Sequence, residues 1–95
     1  MNNAFYGCIN LINITLSESL ISIGNYTFMN CSKLTTIIIP ENVKSIGDYV
    51  FYNCKSLTII IMCIANSNGM TLSDYWNDIN DNYDKIPVTW GYKEE

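Results

Sequence analysis

The sequence predicts a repeat solenoid, a right-handed superhelix of α/β type. We expect 23-residue turns with a parallel β-sheet on one face, short helical or irregular segments on the other, and a C-terminal cap. Apolar side chains recur at that interval in four columns, and in repeat architectures of roughly 20–50 residues per unit each turn buries its apolar side against its neighbours. The columns are Phe5/Phe28/Phe51, Cys8/Cys31/Cys54, Leu11/Leu34/Leu57 and Ile14/Ile37/Ile60.

Length and charge limit the number of domains and the kinds of partner that this chain can have. The 95 residues make one domain, 48% of them are apolar, and the formal net charge is −4 with only five Lys and Arg. A nucleic-acid or anionic-membrane partner needs clustered positive charge, so neither is expected. The N-terminal residues show no basic segment followed by an apolar run, so we do not expect them to form a signal peptide. We expect part of a longer surface or secreted protein.

The main strands are predicted at 12–16, 36–39 and 59–62, where apolar residues alternate with others. Pro40 cannot donate to a sheet and ends the second strand. The run from Ile59 to Ala65 is too short to span a bilayer, which takes about 20 residues. The outward side chains form two rows, Asn13/Thr36/Ile59 and Thr15/Ile38/Ile61.

A second apolar pair follows each of the first two strands and precedes Gly24 or Gly47. We expect these glycines to adopt a turn conformation closed to residues with a Cβ. Residues 26–31 and 49–54 are assigned to short helical or irregular segments, with Phe and Cys pointing inward. Asn30 and Asn53 precede the cysteines, and we expect their side chains to bond turn backbone. Glycosylation sequons begin at Asn13, Asn25 and Asn30.

Beyond Met62 the interval is lost, so we divide the chain into repeats, 1–63, and a capping segment, 64–95. Ser73 is a candidate N-cap for a short helix that would place Tyr75, Trp76 and Ile79 on one side. Residues 80–85 are predicted as a polar turn and 86–92 as a final strand. An aromatic segment of this kind suits the exposed last turn of a solenoid.

Three motifs carry a family resemblance: Leu34-Thr-x-Ile37-x-Ile39-Pro40, Val43-x-Ser45-Ile46-Gly47 and Phe51-x-x-Cys54. In order and spacing they resemble the BspA-type leucine-rich repeat, over about two-thirds of the chain. The resemblance implies a cell-surface or secreted protein of bacteria or parasitic protists that works in adhesion or binding without catalysis. Ser17 stands where the family has Pro, and Thr27 and Val50 where Ala is usual.

The reactive side chains favour structural roles. Free Cys is among the most buried residue types, and the zinc-type Cys-x-x-Cys pair is absent, so we expect structural thiols and no metal; for Cys63 a disulfide to another chain stays open. The run from Asp78 to Asp84 alternates oxygen ligands but lacks the Gly and Glu of an EF-hand. A solvated acidic turn is favoured over another calcium site. Without His or a nucleophile motif, no enzyme activity and no cofactor are expected.

The outward sheet face is the predicted binding site, because apolar patches on repeat-protein sheets are where partners bind. Its partner would be a protein or a host-surface ligand such as a glycan. The alternatives are that the cap or a second copy covers the face, or that the repeats are a spacer without a ligand. A homodimer through the exposed solenoid end or the sheet face is also expected. The site comprises Asn13, Thr15, Thr36, Ile38, Ile59 and Ile61.

Overall fold

Two parallel three-stranded sheets organise the chain in a computed structural model that describes residues 4–82 and 84–93. The described residues contain no α-helix. One sheet has the order β1-β3-β5 and the other β2-β4-β6. The strands are β1 Ser22–Ile23, β2 Thr36–Ile39, β3 Ser45–Ile46, β4 Ile59–Met62, β5 Thr71–Leu72 and β6 Val88–Thr89.

The strand register confirms the 23-residue interval. Thr36 lies beside Ile59 and Ile39 beside Met62 in the second sheet, while Ser22 lies beside Ser45 in the first. The predicted main strands at 36–39 and 59–62 are β2 and β4, and β2 ends before Pro40 as expected. The fold is therefore a repeat fold in which equivalent residues of successive turns are neighbours.

The core is built from the predicted columns. Phe28 is fully buried and its ring is parallel to those of Phe5 and Phe51, with centroids 5.3 and 5.8 Å apart. Cys31, Cys54, Leu34 and Ile60 are also buried. Offset stacking of aromatic rings adds about 0.5–1.5 kcal/mol per pair to the free energy of burial. The Phe column thus stabilises the contact between successive turns.

The first main strand, predicted at 12–16, does not form. The Thr35 N–H donates to the Ile12 carbonyl at 3.1 Å, and within the described residues no backbone hydrogen bond joins 13–16 to β2. An edge position alone does not explain this, because β1, β5 and β6 also have a strand on one side and still pair. The alternation of residues 12–16 is therefore not sufficient to make a strand.

The segments after β1 and β3 are turns and not helices. Tyr26, Asn30, Tyr49 and Asn53 have φ between 55° and 67°, in the left-handed region. A residue with that backbone interrupts a right-handed helix. The Asn53 amide donates to Asn30 Oδ1 at 3.0 Å, so these side chains bond each other rather than turn backbone.

The turn role expected for Gly24 and Gly47 is wrong, since neither has a positive φ. Gly47 meets a different constraint. A Cβ there would lie 2.8 Å from the backbone nitrogen of Asn25 in the preceding turn. Glycine at 47 therefore allows two turns to approach closely.

The tail continues the repeat further than its sequence interval indicates. β5 pairs in register with β3, Ser45 beside Thr71 and Ile46 beside Leu72, at a spacing of 26 instead of 23 residues. The helix predicted after Ser73 is wrong, because residues 74–77 form turns. The Tyr75 carbonyl accepts from the Tyr49 N–H at 3.1 Å and so bonds the neighbouring turn. The predicted final strand, 86–92, is shortened to β6, which pairs with β4.

Candidate functional site

The outer face of the second sheet brings together four of the six predicted site residues. Thr36 lies beside Ile59 and Ile38 beside Ile61. All four are half-buried, while the alternate positions between them point inward and are buried. Thr89 of β6, which the sequence did not single out, lies beside Ile61 and extends the second row. Its signal was the apolar-polar alternation of the last predicted strand.

Asn13 and Thr15 do not join these rows, because their segment forms no strand. Both side chains are exposed. Thr15 lies instead at a cleft of about 470 Å³ beside β2, which Ile38 also lines. Four of the six predicted residues therefore share one face of β2 and β4, and the other two lie outside the sheet.

The cleft combines apolar walls with charged side chains. Leu16, Ile38 and Pro40 provide apolar surface, and the carboxylates of Glu18 and Glu41 lie at the end where β2 stops. Lys93 and the half-buried Cys63 complete this end. A cleft of this volume is within the size range of ligand pockets, about 300–1,000 Å³.

A column of tyrosines, absent from the predicted site, lies on the other side of the turns. The rings of Tyr26, Tyr49 and Tyr75 are parallel, with successive centroids 6.2 and 5.3 Å apart. Tyr52 meets Tyr49 edge to face, and its hydroxyl donates to Asp81, a hydrogen bond that raises the pKa of Tyr52. The 23-residue spacing of Tyr26 and Tyr49 could have revealed the column.

Two of the three column cysteines, Cys31 and Cys54, are buried in the core, and Cys8 is half-buried. The Cys31 and Cys54 thiols donate to the carbonyls of Phe5 and Phe28, at 3.1 and 3.0 Å, and all four cysteines are free. Burial raises the pKa of Cys31, and it raises the pKa of Cys54 to about 12. A protonated thiol is a poor nucleophile and a poor metal ligand.

The acidic run is only partly solvated. Asp78 is fully buried, and its Oδ1 forms an ion pair with Lys85 across an antiparallel bridge. Its Oδ2 has no hydrogen-bond partner among the described residues. Asn80 Oδ1 accepts from the Asn82 and Asp84 N–H groups at 2.9 and 3.3 Å. In the described part of the chain no three His, Cys, Asp or Glu side chains are arranged to hold a metal ion.

Comparison with known families agrees with the repeat geometry. The sequence model of the BspA type leucine rich repeat region, six copies, matches residues 1–82. The chain belongs to the BspA-type leucine-rich repeat family. The comparison of this chain with curated proteins found no match, and neither did the comparison with solved structures. Family membership makes the chain a protein-interaction or structural repeat module of a typically non-catalytic class.

BspA-type repeats occur in surface or secreted bacterial proteins. Among the residues that the structure describes, no helix is long and apolar enough to cross a membrane. Leucine-rich repeats generally mediate protein interactions. In this chain the half-buried rows on β2 and β4 place Ile38, Ile59 and Ile61 together on one face.

Proposed function

We propose that this BspA-type repeat chain is a non-catalytic adhesion or binding module of a surface or secreted protein, and that the outer face of its second sheet binds a protein or host-surface ligand. The observation that carries the proposal is the in-register pair Ile38 and Ile61, with Ile59 beside Thr36, on strands whose other face is buried. Half-buried isoleucines in register provide apolar area without the entropy cost of ordering a loop.

We propose further that the turns form a solenoid, with repeats over 1–63 and a cap over 64–95. The support for the cap is that Trp76 and Ile86 are buried in the same core as the repeat columns. β5 and β6 each add a last strand to one sheet. A segment of this kind shields the apolar end of a repeat stack from water.

A spacer role is the alternative. Repeats of this family also serve as structural modules, and the sheet face of a spacer would need no ligand. Only a measurement of binding separates the two roles.

The test compares the natural chain with the double variant Ile38→Asp, Ile61→Asp. Both are coupled to beads and assayed on purified mammalian extracellular-matrix proteins and on a glycan array. We expect the natural chain to bind at least one target and the variant to lose about tenfold or more in affinity, since each buried charge opposes apolar contact. The matched control is Ile9→Asp, an exposed isoleucine outside the sheet.

Binding of no target by the natural chain, folded by circular dichroism, would favour the spacer. Equal binding by the natural chain and the folded sheet-face variant would place the binding site on another surface. Loss of binding in the Ile9→Asp control as well would move the site to the first turn. In the same proposal the chain forms a homodimer, through its exposed first turn or its sheet face.

A further inference from the structure

The edge of β2 that faces the first turn presents backbone groups with no strand beside them. The Cys63 N–H donates to the Ile39 carbonyl at 3.0 Å, so the polar groups of Ile39 point toward β4. The N–H and C=O groups of successive residues in a strand point to opposite edges. Those of Ile38 therefore point toward residues 13–16, which within the described chain make no backbone hydrogen bond to β2.

The break in backbone hydrogen bonding between the first and second turns is confined to the region of β2. On one side of it the Phe5 and Gly7 N–H groups donate to the Thr27 and Met29 carbonyls, at 2.9 and 2.8 Å. On the other side the Lys44 N–H donates to the Ile21 carbonyl at 2.6 Å. The first turn is thus bonded to the second on both flanks of β2. The 470 Å³ cleft lies between the two turns at the C-terminal end of β2, where Ile38 and Pro40 line it.

An open strand edge beside an apolar cleft is the geometry that binds an extended peptide as an additional strand. The Ile38 N–H and C=O would pair with the peptide backbone, while Leu16 and Pro40 would contact alternate side chains. Glu18 and Glu41 lie at the end where β2 stops, opposite a single Lys93, and the chain carries a net charge of −4. The excess of carboxylates favours a positive side chain there.

We propose that the edge of β2 binds an extended segment of a partner protein by parallel strand addition, with apolar side chains at alternate positions and a Lys or Arg at its C-terminal end beside Glu18 and Glu41. Parallel pairing continues the direction of every strand pair in both sheets. This inference rests on the proposed role in protein binding and adds the conformation and charge of the bound segment.

The test uses the peptide acetyl-Thr-Ile-Thr-Val-Thr-Arg-amide and amide hydrogen exchange measured by NMR. In the free chain we expect the Ile38 amide to exchange at least about tenfold faster than that of Ile39, since only Ile39 faces β4. At saturating peptide we expect exchange at Ile38 to slow by about tenfold or more. Protection of Ile38 in the free chain would overturn the inference, because residues 13–16 would then close the edge themselves.

Two control peptides distinguish backbone pairing from nonspecific binding. Methylation of alternate backbone nitrogens in the peptide removes the donors that strand addition needs, and we expect it to abolish the slowing at Ile38. Replacement of the Arg by Glu should weaken binding by about threefold or more. The double variant Glu18→Gln, Glu41→Gln should remove that difference. Equal binding of the methylated peptide, or a difference unchanged in the Gln variant, would contradict the inference.

The sheet-face role is tested separately with Ile59→Asp. If partner binding depends on Ile59 while the peptide leaves Ile38 exchange unchanged, the proposed function stands and strand addition fails. If the peptide protects Ile38 but no protein or glycan binds the sheet face, strand addition stands and the face proposal fails. Glycan binding without protection at Ile38 likewise overturns strand addition.

Discussion

At the scale of single residues, the backbone conformation recurs as faithfully as the apolar columns. Gly7, Asn30 and Asn53 occupy one position of successive turns, with φ of 72°, 67° and 60°. Asn and Gly are the residues that tolerate this left-handed region best. The recurrence of Asn was visible in the sequence, but its reason was not, because an Asn before a Cys is equally compatible with several turn types.

Gly47 provides the first prediction at this scale. Gly47→Ala should reduce the free energy of unfolding by about 2–3 kcal/mol, since its Cβ would press on the backbone of Asn25. Urea denaturation measures the change. The matched control is Gly69→Ala, where no atom lies within 4 Å and only the positive φ of 80° is strained; that strain should cost about 1 kcal/mol. An equal or smaller loss for Gly47→Ala would contradict the close approach of the turns.

The Cys54 thiol gives a prediction about pH. Its folded pKa of about 12 lies above the ordinary value of 9.0, so its contribution to stability is complete below pH 9 and falls as pH rises toward 12. Between pH 9 and about 10.5 the loss of this contribution should lower the free energy of unfolding by about 1.5 kcal/mol. Urea denaturation in reducing buffer at the two pH values measures this loss.

The matched variant is Cys54→Ala, which has no thiol to ionise. Its unfolding free energy at neutral pH should be lower than that of the natural chain, because a buried group is removed. Its loss between the two pH values should be smaller by about 1.5 kcal/mol. An identical loss in both proteins would mean that Cys54 does not carry the effect.

At the scale of elements, the sequence predicted those strands and core columns that recur at a constant interval. β2, β4, the Phe column and the end at Pro40 follow from the 23-residue interval and from strand alternation. The sheet of β1, β3 and β5 was missed because two-residue strands are too short to show a period. The strand at 12–16 was wrong although its residues alternate, because alternation alone does not decide whether a segment pairs in a sheet.

The tail shows how an insertion hides a repeat. Thr71-Leu-Ser-Asp-Tyr75 occupies the place of Ser45-Ile-Gly-Asp-Tyr49, but eight residues separate it from the preceding strand instead of five. Tyr75 stacks on Tyr49 like Tyr49 on Tyr26. A search at a constant interval of 23 residues does not detect this equivalence. Without it, the spacing of Tyr75, Trp76 and Ile79 resembles the apolar spacing of a helix.

We therefore expect deletion of residues 66–68 to be tolerated. Asn66, Ser67 and Asn68 are exposed, and shortening an exposed loop by three residues changes the closure entropy by well under about 1 kcal/mol. The stability measured by urea denaturation should stay within about 1 kcal/mol of the natural chain. Deletion of residues 63–65 is the control and should destabilise strongly, since Ile64 packs on the core. Unfolding of the first variant would contradict the equivalence of β5 and β3.

At the scale of the whole molecule, the apolar exposed residues are concentrated in the first turn. Ile9, Ile12 and Ile21 are 58%, 56% and 63% exposed. One turn later the same positions hold Ser32, Thr35 and Lys44. Exposed isoleucines where later turns have polar residues favour contact with another apolar surface.

This contrast yields a prediction for the proposed homodimer. We expect sedimentation equilibrium to detect a dimer, and the triple variant Ile9→Ser, Ile12→Thr, Ile21→Lys to raise the dimer dissociation constant by about tenfold or more. The substitutions copy residues that the next turn already accepts, so the fold should persist. The sheet-face variant Ile61→Asp distinguishes the other dimer surface. A strictly monomeric natural chain at high concentration would end the proposal.

The most direct test of the whole account is an NMR measurement of nuclear Overhauser effects among the three Phe rings. If equivalent residues of successive turns lie above one another, the ring protons of Phe28 will show cross-peaks to those of both Phe5 and Phe51, whose centroids lie 5.3 and 5.8 Å away. The Ile60 N–H donates toward β6, so the next amide, that of Ile61, faces β2 and should likewise show cross-peaks to residues near Ile37. Cross-peaks from Phe28 to neither ring, in a folded chain, would contradict the repeat register on which the sheet face and the β2 edge depend.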